Sequence, residues 1–161
     1  MNKSASSAEP RSALGPTLDF LAVLWELNHA FEATSSRMQT ELGVTAQQRM
    51  LIRIVGKFPG IAAGQLAAVL RIHPGTLSTA IARLEKRGLL LRERDEHDQR
   101  RVVLALTAKG RSFDVPAPRT IESAAARVLK RVSARDRAAT LRCLHAIIDE
   151  LDSDAREPAK A

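Results

Sequence analysis

The chain has 161 residues, 45% of them hydrophobic and 27% charged, and a formal charge of +7; this is the composition of one soluble globular domain with a sizeable core. No run approaches the roughly 18 apolar residues that a bilayer crossing needs, and the first twenty residues lack the apolar centre of a secretory leader, so a cytoplasmic protein without a membrane partner is expected. The single cysteine, Cys143, excludes an internal disulfide framework and the multi-cysteine zinc modules, and is expected to be a buried structural thiol.

In chain order, residues 1–16 are small, polar and interrupted by Pro10, Gly15 and Pro16, which suggests a tail outside the fold. Residues 17–42 carry Leu21, Leu24, Trp25 and Phe31 at helical spacing, and Leu18, Phe20, Val23 and Leu27 add further apolar faces. A helix apolar on several sides needs more than one partner surface. Thr45 with Gln48 has the form of a capping box opening a second helix, which Phe58-Pro59-Gly60 stops. Residues 64–70 read as a third, short helix. Pro74, whose missing N–H costs nothing in a first turn, opens a fourth that runs to Arg87 and ends at Gly88. Two strands follow, residues 89–94 and 102–106, around a polar tip over residues 95–101. Thr107 reads as the N-cap of another helix, which Pro116 and Pro118 must kink or break because each removes a donor and clashes one turn back. Helix resumes at residue 121. Ser133 with Asp136 starts the last one, striped by Leu141, Leu144, Ile147, Ile148 and Leu151, and residues 154–161 should fray. The expected fold is mainly α with a small β-hairpin: a winged helix-turn-helix over residues 45–107, inside one domain spanning 17–153.

The charge excess is local. Residues 71–111 hold ten basic and five acidic residues, whereas residues 1–70 and 112–161 each contribute only +1. A stretch of that kind suits a polyanion. No Phe, Tyr or Trp lies between Ile61 and Lys109, so the stacking platforms of single-strand binders are missing and duplex DNA is favoured. In that reading the helix over residues 74–87 enters the major groove. Pro74, Gly75, Thr76, Ser78 and Thr79 approach base edges with Arg83 behind them, while Leu77, Ile81 and Leu84 face the core. Arg71, Arg92, Arg94 and Lys109 are candidate phosphate contacts. The hairpin, with Arg100 and Arg101, reaches the minor groove.

The run IHPGTLSTAIARLEKRGL over residues 72–89, the tip Asp98-Gln99-Arg100-Arg101 and the segment Leu106-Thr107-Ala108-Lys109-Gly110 resemble the MarR family of bacterial and archaeal transcription regulators, and the similarity extends from Leu18 to Leu151. The resemblance implies a homodimer with residues 17–42 and 119–153 as its dimerisation helices, and two reading helices on a pseudo-palindromic operator. It places Arg100 in the minor groove with Asp98 orienting it. It also implies a repressor that answers to a small aromatic or anionic effector, for which Trp25, His29, Phe31, Arg49, Arg53 and Phe58 are candidate contacts. The break at residues 115–118 departs from the uninterrupted fifth helix that the resemblance implies.

Other chemistries find little support. Glu26, His29 and Glu32 share one helix, but no second histidine lies near them in sequence, so no metal site is expected. There is no glycine-rich phosphate loop and no nucleophile with a base at a recognisable spacing, so neither an enzyme nor a cofactor is expected. The alternative is a winged helix that docks on another protein without reading DNA. Such a module has no need of Arg83, Arg100 and Arg101 around an uncharged, hydroxyl-rich helix start.

Overall fold

Seven helices and one two-stranded antiparallel sheet follow one another in the computed structural model, which describes residues 14–95, 98 and 100–155. Residues 1–13 of the expected tail, residues 96, 97 and 99 of the hairpin tip, and residues 156–161 of the expected fraying end lie outside the described residues. Helix α1 (Gly15–Leu42) begins two residues before the expected residue 17, because Pro16 fits its first turn. It ends at Gly43, whose φ of 73° closes the helix in the left-handed conformation that glycine adopts without strain. Helix α2 (Ala46–Lys57) starts on the expected capping box: Thr45 Oγ1 accepts from the Gln48 N–H, and Gln48 Oε1 accepts from the Thr45 N–H, both at 3.2 Å.

Helices α3 (Ala63–Leu70) and α4 (Pro74–Lys86) are joined by a tight turn through Arg71, held at φ 52°, where a side chain costs roughly 1–2 kcal/mol. Strand β1 (Leu90–Arg94) pairs with β2 (Val102–Leu106), Leu90 opposite Leu106 and Arg94 opposite Val102. The Leu104 N–H donates to the Ile61 carbonyl at 2.9 Å, and Ala62 bridges Val103. The hairpin is thereby stitched to the chain entering α3. Leu77, Ile81 and Leu84 of α4 are buried as expected and pack with Leu51, Ile52 and Val55 of α2, Leu66 of α3, and Leu90 and Leu104 of the sheet. Each contributes about 1.5–3 kcal/mol by leaving water. With that face of α4 inside, its hydroxyl-bearing face points out.

Helix α5 (Ala108–Phe113) is capped by Thr107, whose Oγ1 accepts from the Gly110 N–H at 2.9 Å. It stops at Phe113, in agreement with the break expected from Pro116 and Pro118. Two arginines one turn apart on α2 take up the carbonyls freed there. Arg49, only 2% exposed, donates to the carbonyls of Phe113 (2.8 Å) and Val115 (2.5 Å). Arg53 donates to the Asp114 carbonyl (2.5 Å) and to its carboxylate (2.7 Å). Helix ends leave unsatisfied carbonyls, and here side chains from a distant helix supply the donors. Arg49→Met should therefore cost about 2–4 kcal/mol, because two carbonyls lose a charged donor; a urea unfolding midpoint equal to that of the native chain would refute this role.

Helices α6 (Ile121–Leu129) and α7 (Ala134–Asp154) complete the chain, with Ser133 Oγ accepting from the Asp136 N–H at 3.1 Å as the N-cap of α7. The chain divides into two compact units, Met1–Ile121 and Glu122–Ala161. In α1 only Met38 is buried, and Leu18, Leu21, Val23, Trp25, Leu27 and Phe31 are exposed. In α6 and α7 no residue is buried, and Val128, Leu129, Leu141, Ile148 and Leu151 are exposed. Cys143 is exposed as well, contrary to the expectation of a buried thiol, because it lies off the half-buried stripe of α7 that holds Leu144 and Ile147. No helix among the described residues is long and apolar enough to cross a membrane.

Candidate nucleic-acid interface

The outward face of α4 is built from its N-cap onward. His73 takes the cap position: its Nδ1 accepts from the Gly75 N–H at 3.1 Å, which leaves the ring proton on Nε2. This capping role was not among the expectations, although the place just before a first-turn proline carries a signal for it. Pro74, Gly75, Thr76, Ser78, Thr79 and Arg83 are all exposed. Thr79 donates its hydroxyl to the Gly75 carbonyl at 3.1 Å, so the lone pairs of that oxygen remain to accept. Thr76, Thr79, Ala80 and Arg83 line one side of an open cleft of about 300 Å³, and Gln47 of α2 lines the other. Gln47 was also missed, since only the packing of α2 beside α4 brings it there. Its amide adds a donor and an acceptor to a surface of neutral hydroxyls and one cation, the combination that base edges and phosphates require.

The hairpin tip is held by its own backbone. The Asp95 N–H donates to the Arg101 carbonyl and the Arg101 N–H to the Asp98 carbonyl, each at 2.9 Å. Asp98 Oδ1 accepts from the backbone N–H of Arg100 at 3.0 Å. That bond fixes the main chain at Arg100, and no described residue pairs with the Arg100 guanidinium. Arg101 is different. It turns back to Gln65 Oε1 of α3 (2.5 Å) and stands 3.9 Å from the Asp95 carboxylate. Since Gln65 Oε1 also accepts from the Ala62 N–H (3.1 Å), Arg101 is a strut between the hairpin and α3.

Two candidate phosphate contacts are engaged in the same way. Arg92 Nε pairs with both carboxylate oxygens of Glu85 at 3.2 Å, and Lys109 Nζ donates to the Arg87 carbonyl at 3.1 Å, on the C-cap of α4. Arg71, at the turn into α4, and Arg94, at the end of β1, are exposed.

The six candidate effector contacts lie in three places among the described residues. Trp25, 71% exposed, and His29 lie together on α1 with ring centroids 5.1 Å apart, and His29 Nδ1 donates to the Trp25 carbonyl at 2.8 Å. Phe31 is exposed further along the same helix. Phe58 lines a separate open cleft of about 510 Å³ with Ile61, Gln65 and Val69. Arg49 and Arg53 bond to the backbone at residues 113–115, and Arg53 also to the Asp114 carboxylate, so both serve the helix break.

A helix with one face buried and a hydroxyl-bearing face outward, a tight turn before it, and a hairpin presenting the exposed Arg100 behind it define a winged helix-turn-helix. A model of the MarR family matches residues 42–101. The transcriptional regulator HosA of Escherichia coli O157:H7 is 33% identical over 112 residues, covering 69% of this chain and 83% of HosA. The HTH-type transcriptional repressor Rv2887 of Mycobacterium tuberculosis is 27% identical over 112 residues, covering 70% of this chain and 81% of Rv2887. Among solved structures, Streptococcus pneumoniae FabT in complex with DNA has the same fold, with a TM-score of 0.59 at 22% identity over 85% of this chain and 96% of FabT. The chain belongs to the MarR family and is a transcription regulator, not an enzyme.

Proposed function

We propose that the protein is a homodimeric repressor that reads a pseudo-palindromic operator, with α4 in the major groove and the hairpin in the minor groove. The observation that carries this reading is the cleft at the start of α4, where Thr76, Thr79 and Arg83 meet Gln47 while the opposite face of the helix is buried. Ser78 and Gly75 extend the same face, Arg71 and Arg94 serve phosphates, and the Arg100 guanidinium enters the minor groove. Arg92, Arg101 and Lys109 support the frame first and add long-range attraction second. The apolar side chains left exposed on α1, α6 and α7 are more than a lone soluble chain tolerates, and a second copy would cover them. Repression is supported by the relative Rv2887, which is named a repressor, and DNA binding by the fold shared with FabT. The exposed Trp25–His29 pair offers a ring surface for a small aromatic or anionic effector.

The test is selection of bound sequences from a random duplex pool. Enriched sites should contain two related half-sites about 10 to 10.5 base pairs apart, centre to centre, and affinity for them should fall steeply as salt rises. A panel of aromatic carboxylates can then be screened for release of the best site. No binding to any duplex at low salt, or enrichment without a repeated half-site, would overturn the reading.

A further inference from the structure

Helix α1 meets the reading head near its C-terminal end. Met38 is buried there, Ser35 Oγ accepts from the Ala46 N–H at 3.1 Å, and Arg37 donates to the Arg119 carbonyl at 3.0 Å. Glu41 pairs with the Arg119 guanidinium at 3.3 Å. Those polar ties lead to the start of α2 and to residue 119. Arg87 makes one that leads to α4. It is the half-buried C-cap of the reading helix, and its guanidinium donates to the Gly43 carbonyl and, at 2.6 Å, to Gln48 Oε1. Gly43 closes α1, and Gln48 is the third residue of α2 and a member of its capping box. One side chain therefore joins the end of α4, the end of α1 and the first turn of α2. A guanidinium is planar, so two donors on two separate acceptors leave it no free rotation, and turning α4 against α1 breaks at least one bond.

We propose that Arg87 is a positioning residue that fixes the angle between α1 and α4, and so sets the half-site separation that the protein accepts. The inference rests on the dimeric DNA-reading function proposed above. In that function α1 belongs to the dimer contact and α4 to the groove, so an angle within one protomer becomes a distance between two reading helices.

The experiment measures binding to a duplex carrying one half-site and to palindromes whose half-site spacing is stepped one base pair at a time. The native protein should show one sharp spacing optimum. Arg87→Ala should bind the single half-site within about twofold of the native protein, while the preference for the optimum over its neighbours falls about tenfold, the scale of losing a charged hydrogen bond. Arg87→Lys, which replaces the rigid planar fork with one flexible ammonium, should fall between, and Gln48→Glu, which keeps an acceptor for Arg87, should retain the native profile. Should Arg87→Ala fail to fold, Gln48→Ala removes one of the two bonds and should broaden the profile by itself. Equal losses on half-site and palindrome at an unchanged optimum, or no change in either, would overturn the positioning role. A native protein that binds duplex DNA with no spacing optimum would overturn the dimeric reading, and this inference with it.

Discussion

Gly110→Ala is expected to lower the melting temperature by about 6–12 °C, which corresponds to roughly 3 kcal/mol for a chain of this size. A Cβ built on Gly110 lies 1.9 Å from the carbonyl oxygen of Leu89 and 3.5 Å from Leu106 Cβ. The first distance is far inside any real contact, and the obstructing atom is backbone. Leu89 cannot yield, because its side chain is fully buried and its carbonyl accepts from the Thr107 N–H at 3.2 Å. Helix α5 must shift instead. That movement pulls on Thr107, whose hydroxyl donates to the Gly88 carbonyl at 2.7 Å, and on Lys109, which holds the Arg87 carbonyl. Thr107 thus bonds to the Gly88 and Leu89 carbonyls and Lys109 to that of Arg87, while Gly110 leaves room for the Leu89 carbonyl, so the segment acts as a strut for the end of α4. Thermal unfolding by circular dichroism decides the matter: a midpoint within about 2 °C of the native chain would mean that α5 slides freely.

The local grammar of the fold was readable in the residues themselves. Thr45 with Gln48, Thr107 and Ser133 mark helix starts because a side-chain oxygen can reach an N–H only two or three residues on, and all three do so here. Pro116 and Pro118 forbid a continuous helix whatever surrounds them. Leu77, Ile81 and Leu84 share a face by spacing alone. What could not be read is where each cation finds its partner. Arg49 and Arg53 were candidate effector contacts, yet the carbonyls that they meet, and the Asp114 carboxylate that Arg53 also meets, lie more than sixty positions away. Arg92, Arg101 and Lys109 belong to the basic stretch by sequence, and each is tied to Glu85, Gln65 or Arg87 once the chain folds. Side-chain charge names a partner's sign and not its position, so composition overstated the number of free cations. Gln47 shows the converse. Uncharged and in a first turn, it carries no sequence signal, and only the neighbourhood of α2 and α4 places it on the cleft.

Neighbouring arginines at the hairpin tip should separate cleanly. On the operator obtained by selection, Arg100→Ala is expected to lose about 10- to 100-fold in affinity, the range for a lost charged contact in a groove, with no change in melting temperature because no described residue pairs with its guanidinium. The slope of log affinity against log salt should also fall by about one, as one fewer cation displaces counterions. Arg101→Ala should act differently. Its guanidinium is spent on Gln65 and Asp95, so its removal loosens the hairpin against α3, lowers the melting temperature by a few degrees and weakens binding to specific and random duplex alike. Asp98→Ala removes the acceptor of the Arg100 N–H and should reproduce part of the Arg100→Ala loss with the salt slope intact, because the cation is still present and only misaimed. Anisotropy titrations at four or more salt concentrations measure all three. If Arg100→Ala and Arg101→Ala give the same loss and the same slope, the hairpin is acting as diffuse positive charge and the assignment of minor-groove reading to Arg100 is wrong.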